Sequence, residues 1–232
     1  TNVRLTNSKR IVVLPIVQEA ERNEYEEFAV HQQGEWLPNV SAVESQASAL
    51  SSDRQLKGIR DHIFNNSGAV SSPGPFAPIW QTIPSVGAVE WVNYDVFASS
   101  MPVQHVMDHK RATLGQLSSN ETLASFFGGD ASTAEPISTI LYPVLQQNVS
   151  VAIVGASFVW SDFLAGDGIT VALVNNCGSQ NATYQVDGGN ARYLGAEDLK
   201  GSASFAFSVN LNDSNDLCHY SLQASPSRQL MN

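Results

Sequence analysis

Apolar residues recur along this chain in two rhythms, helical in the first half and alternating in the second. The opening run Ile11 to Val17 (IVVLPIV) predicts a buried strand, with Pro15 placing it near an edge or a bulge. Gln18 to Gln33 predicts a helix in which Tyr25, Phe28 and Ala29 share a face, with an acidic first turn that suits the macrodipole. Trp36 and Leu37 are expected to pack back onto that face before Pro38. A second helical pattern covers about Val40 to Phe64, aligning Val43, Ala47 and Leu50, then Leu56, Ile59 and Ile63. Ser51, Ser52 and Asp53 are where it would split. Ser99 or Ser100 caps a third helix with Pro102 at its first position, running to about Leu117 with Val103, Met107, Leu114 and Leu117 as its stripe.

From Ile137 onward the period is that of strands. The runs ISTILYPVL, VAIVGASFVW, ITVALVNN, ATYQV, FAFSVNL and CHYSLQA are separated by turn residues, and Phe205, Phe207, Val209 and Leu211 alternate with small or polar neighbours. Ser161 to Leu164 reads as a capped short helix ending at Gly166. The expected fold is α+β: about five or six largely antiparallel strands, with helices mainly in the N-terminal half. The Gly/Pro/Ser-rich stretch Asn65 to Pro78 is the best internal boundary, giving residues 1–75 and 76–232 as expected domains.

Composition narrows the function. The 232 residues are 43% hydrophobic, enough for a real core, and carry a net charge of −10 with only twelve Lys and Arg. Without a basic cluster to displace counterions, nucleic acid and anionic membrane surfaces are poor partners. No apolar stretch approaches bilayer-spanning length and no signal peptide opens the chain, so an exported protein is expected to be a mature form or an excised fragment. Six Asn-x-Ser/Thr triplets, at Asn39, Asn65, Asn120, Asn148, Asn181 and Asn212, are candidate glycan acceptors and tilt the compartment toward extracellular. Cys177 and Cys218 are consistent with one disulfide, the alternative being two unpaired buried thiols.

Signals of catalysis are weak. His105, Asp108 and His109 share a face at i, i+3 and i+4, which suits either a metal ligand pair awaiting a further ligand or a solvated helix face. There is no G-x-S-x-G elbow and no H-E-x-x-H, and Gly128-Gly129 and Gly188-Gly189 do not open helices after strands. Neither enzyme activity in this chain nor a cofactor or metal is expected.

The stretches LPIVQEAERNEYEEFAVHQQGEWL, PFAPIWQTIP with VNYDVF, and NNCGSQNATYQVDGGNARYLGAEDL with LCHYSLQASPS, in this order, cover most of the chain. They resemble a Cache/PAS-like extracellular sensor, and more closely the ectodomains of diatom-type receptor nucleotide (guanylate or adenylate) cyclases. The resemblance implies that 76–232 is the sensor domain, that a membrane is met only through segments absent from this chain, and that cyclase chemistry lies elsewhere in the parent. It also implies a small-molecule or peptide ligand held between sheet and flanking segments, and a homodimer by analogy. Trp80, Trp91, Asn93, Tyr94 and Asp95 supply aromatic walls with a few polar groups, and Tyr142 and Trp160 lie on strands that would face the same space. Such a cluster also reads as plain core, and Ser161 or Asp162 as a simple helix cap. The alternative function is an extracellular adhesion or matrix module without a signalling role.

Overall fold

β-Branched and aromatic residues dominate the runs after Ile137, and the chain turns them into antiparallel strands. The computed structural model describes residues 8–36, 61–65, 67–71, 73–83, 91–118, 135–177, 180–196, 207–210 and 217–226. Ten strands are placed: β1 (Arg10–Pro15), β2 (Gln81–Ile83), β3 (Thr113–Leu114), β4 (Ile137–Gln146), β5 (Val149–Val159), β6 (Ile169–Asn175), β7 (Gln180–Asp187), β8 (Asn190–Gly195), β9 (Phe207–Asn210) and β10 (Tyr220–Pro226). The described α-helices are α1 (Arg22–Trp36) and α2 (Met101–His109). One five-stranded sheet has the order β2-β1-β5-β4-β3 and the other β8-β7-β6-β10-β9. This content is compatible with an α+β class in which antiparallel sheet predominates.

Contacts group the chain into two compact units, Arg10–Ala112 with Leu141–Ala156, and Thr1–Lys9 with Thr113–Ile140 and Ser157–Asn232. We call them the helix-bearing unit and the disulfide unit. The long strands β4 and β5 each lend one end to either unit.

In the disulfide unit, β6 and β7 form a hairpin registered from Ile169↔Val186 to Asn175↔Gln180, and β10 flanks β6 from Tyr220↔Asn175 to Pro226↔Ile169. Side-chain alternation puts Leu173, Ala182, Tyr184 and Tyr220 into one cluster with Leu117, Trp160 and Cys218. Each large side chain sealed there contributes about 1.5–3 kcal/mol. β8 is a strand the alternation does not predict: none of its residues is buried, so NARYLG carries no apolar pattern. Its turn is legible, because Gly188 and Gly189 have φ of 56° and 77°, conformations that favour glycine. Cys177 and Cys218 are joined, with Cα atoms 5.2 Å apart, linking the chain just past β6 to the chain just before β10. The 41-residue separation implies about 4 kcal/mol of stabilisation in the chain-entropy account. Backbone and side chain reinforce it: Asn176 N donates to His219 O (3.1 Å) and His219 N to Asn176 Oδ1 (2.7 Å).

In the helix-bearing unit, β1 lies between β2 and β5, pairing Ile11↔Ile83 and Val13↔Gln81. Pro15 is tolerated because it ends the strand; it marks no sheet edge. The strand is half-buried, with Arg10, Val12 and Leu14 sealed and their neighbours only partly so. On α1, Ala29 is buried but Phe28 stays 46% exposed, so the apolar face is narrower than its spacing suggests. Polar bonds do much of the holding. Arg22 donates to the carbonyls of Ser71 and Ile63, lies 5.0 Å from the Phe76 ring centroid and pairs with Glu26 at 2.8 Å. Glu26 also accepts from Ile63 N (2.9 Å), and Glu19 accepts from Gly74 N (2.7 Å).

Two further expectations meet a different outcome. Ser100 does cap α2, its Oγ accepting from Val103 N at 3.4 Å, but the helix ends at His109 because Lys110 turns left-handed at φ 53°. Leu114 then falls in β3. The short helical turn is Trp160–Asp162, and neither Ser161 nor Asp162 caps it; Asp162 instead pairs with Lys9 Nζ at 2.7 Å. The expected helix over 40–64 lies mostly outside the described residues, and Phe64 is extended, bridging Val70 and Tyr94. Leu37, and the side chain of Trp36, also lie outside them.

Candidate functional site

Three short segments of the helix-bearing unit are stitched edge to edge and carry most of the expected site. Phe64 N donates to Asn93 O (3.1 Å), Asp95 N to Phe64 O (2.8 Å), and Ile79 N to Tyr94 O (3.0 Å). Trp80 N continues the ladder onto β1 through Val13 O at 3.0 Å. None of these segments is long enough for a strand. Main-chain bonds made across sequence distance fix them.

Asn93 and Asp95 are the polar members, and both are sealed. Asn93 takes a left-handed conformation (φ 65°), which asparagine tolerates, and its Oδ1 accepts from the Tyr25 hydroxyl at 3.2 Å. Burial, then the charge of Glu26, pushes the Tyr25 pKa well above the ordinary tyrosine value. Asp95 accepts from Ser71 Oγ (2.7 Å), Ala77 N (3.0 Å) and Phe97 N (3.1 Å), so its carboxylate is committed to its own chain. That is the pattern of a structural buried charge.

The aromatic members differ. Tyr94 meets Trp91 edge to face at 5.3 Å and Phe64 at 5.6 Å, and its hydroxyl lies 3.2 Å from Ser99 Oγ. Trp80 lies 5.9 Å from the half-exposed Phe28, and its indole Nε1 is buried without an acceptor among the described residues. Phe28 therefore adds an exposed ring beside Trp80, while the buried Phe64 backs Tyr94. Helical periodicity assigns Phe28 to the core, so only its exposure reveals it. Tyr142, 63% exposed on β4, makes no ring contact with these groups among the described residues.

Trp160 belongs to the disulfide unit, where it is 9% exposed. Its Nε1 donates to Ser138 Oγ at 2.8 Å, and its ring lies 5.5 Å from that of Tyr220. The Tyr220 hydroxyl donates to Gly115 O and lies 3.1 Å from Ser138 Oγ. Burial raises its pKa, partly offset by the Ser138 contact. Nearby, Tyr184 is raised by burial first, then by Glu135 and Tyr193, and Glu135 accepts from Ser161 N at 3.1 Å. Trp160, Ser138, Tyr220 and Gly115 O are thus linked inside an apolar core, while the Tyr184 hydroxyl has no hydrogen-bond partner among the described residues.

The helical histidines stack on one another, His105 and His109 having ring centroids 4.1 Å apart, with His109 Nδ1 3.1 Å from His105 O. Among the described residues, no group of three or more His, Cys, Asp or Glu is placed to hold a metal ion. The arrangement offers aromatic faces and, among the described residues, the unspent indole donor of Trp80, which suits non-covalent capture of a small ligand. No family model matches the chain, and no curated protein matches it.

Proposed function

We infer that this chain is the extracellular ligand-sensing module of a membrane receptor, of the Cache/PAS-like kind carried by receptor nucleotide cyclases, with catalysis in a domain outside these residues. The observation that carries the reading is Trp80. Among the described residues its buried indole N–H has no acceptor, a state costly to leave unmade, and a ligand bearing an acceptor beside the Phe28 ring would satisfy it. Trp91 and Tyr94 extend the aromatic surface in the same stitched region. The disulfide supports an oxidising compartment. Among the described residues no helix is long and apolar enough to cross a membrane, so in this reading the membrane is met through other segments of the parent.

Signalling in this reading needs a ligand that favours one arrangement of α1 over another. α1 suits that task because Arg22 and Glu26 fasten it by polar bonds to Ile63 and Ser71, and Glu19 in the turn before it bonds Gly74. Receptor dimerisation is part of the proposal and is read by sedimentation. The adhesion or matrix alternative is favoured by one observation, that Asn93, Asp95 and Trp160 direct their polar atoms at their own chain.

Two measurements test the reading. In a screen of small organic molecules by thermal shift and tryptophan fluorescence, a binder should raise Tm in the native chain and lose that effect in Trp80→Phe. A shift that survives Trp80→Phe removes Trp80 from the site. In the parent gene, a membrane helix followed by a cyclase domain supports the receptor, whereas tandem copies of this module with no such helix overturn it.

A further inference from the structure

We propose that Asn148 is a glycan acceptor and that its oligosaccharide covers the apolar tip of the β4–β5 hairpin. The proposal shares with the sensor reading only passage through a secretory lumen, and it is independent of any ligand.

The triplet Asn148-Val149-Ser150 begins in the two-residue turn between β4 and β5. Gln147 and Asn148 have φ of 49° and 63°, the left-handed pair that matches the twist of a tight hairpin. The turn is held from outside, because Lys110 Nζ donates to Asn148 O at 2.7 Å. The side-chain amide of the exposed Asn148 makes no hydrogen bond to a described residue, so its Nδ2 stands open at the tip.

The other described acceptors are worse placed. Asn65 folds its Oδ1 back onto Ser67 N (3.0 Å) and Ser67 Oγ (2.6 Å), locking the triplet in its own turn. Asn181 lies within β7, paired opposite Val174 and only partly exposed, whereas Asn148 is exposed in a turn. Asn39, Asn120 and Asn212 lie outside the described residues.

The tip has something to cover. Tyr142 and Val144 alternate on one face of β4, and with Leu145 and Val149 they are 39–63% exposed. Four large apolar side chains on one hairpin invite association with another chain. A bulky, hydrated oligosaccharide anchored between the two strands blocks that contact.

The chemistry is a transfer without redox change. A bond forms between Asn148 Nδ2 and the anomeric carbon of an oligosaccharide carried on a polyprenyl diphosphate. The anomeric carbon–oxygen bond breaks, and the lipid diphosphate leaves with the electron pair and takes up the amide proton.

The test is secretion of the chain behind a signal sequence from a eukaryotic cell, followed by glycopeptide mass spectrometry. Asn148 should be occupied, and Ser150→Ala should remove the mass of one glycan. That variant leaves Asn148 and its turn in place, and Ser150 Oγ has no hydrogen-bond partner among the described residues, so the hairpin keeps its bonds. The bare variant should bind an apolar fluorescent dye several-fold more strongly and should self-associate. Enzymatic release of the glycan from the folded native protein should do the same without any substitution. A secreted chain with Asn148 bare while other triplets are occupied overturns the site. Release that changes neither dye binding nor association overturns the covering role, and either result leaves the Trp80 titration as it was.

Discussion

Trp160 and Asp95 are both nearly sealed from water, yet they sit at the centres of regions built on opposite principles. Around Trp160, rings and aliphatic chains from β6, β7 and β10 close together, one serine satisfies the single indole donor, and a disulfide staples the sheet. Around Asp95, a carboxylate gathers three donors from two stretches of chain, while Arg22 and Glu26 bind backbone groups about forty residues away. The first region gains from area and is tolerant of direction. The second depends on hydrogen bonds whose loss leaves a buried charge exposed to no solvent, so it is brittle.

The widest test of this contrast is alkaline titration. Burial raises the folded pKa of Tyr25, Tyr184 and Tyr220 above the ordinary value of 10.0. A raised folded value favours the protonated, folded state. Their contribution is therefore whole below about pH 10 and disappears as pH rises through the folded values. The tyrosinate absorbance of these three residues should appear together with loss of structure, in the disulfide unit first because two of the three lie there. Ionisation without unfolding would show that these hydroxyls reach water.

Replacing Cys177 and Cys218 by alanine should cost about 4 kcal/mol and lower Tm. Amide exchange should rise in β6, β7 and β10 and stay unchanged in α1. Uniform acceleration would erase the distinction between the regions. Arg22→Met keeps the stem but removes the guanidinium, and about 3 kcal/mol is expected, with exchange rising in α1 and residues 61–71. Normal stability in this variant would mean the polar fastening is ornamental. Ser138→Ala leaves the Trp160 indole without its acceptor, for about 2 kcal/mol by chemical denaturation, while Tyr220 keeps Gly115 O.

The regions also differ in how far they can be read from sequence. β4, β5, β6, β7 and β10 each grow from an alternating or apolar run, and the two cysteines sit where neighbouring strands bring them together. Local pattern decides there. In the helix-bearing unit, Ser71 and Ile63 are 49 and 41 residues from Arg22, and no spacing rule links a guanidinium to carbonyls that far off. Lys110 ends α2 in a left-handed conformation usually marked by glycine or asparagine, so the helix reads as longer than it is. The aromatic surface was half visible. Trp80, Trp91 and Tyr94 stand out by composition, but Phe28 comes beside Trp80, and the buried Phe64 behind Tyr94, only through tertiary placement.

Composition marks Asn65 to Pro78 as the natural place to divide the protein, and the bonding argues against cutting there. Val17 and Phe76 exchange backbone bonds at 3.0 and 2.9 Å, and Ser71 and Ala77 both feed Asp95. Severing this stretch would free Phe76 from its apolar cluster with Val17 and Ile63 and strand a carboxylate in the interior. Tags, linkers and truncation points belong elsewhere, because what looks like a hinge is a knot.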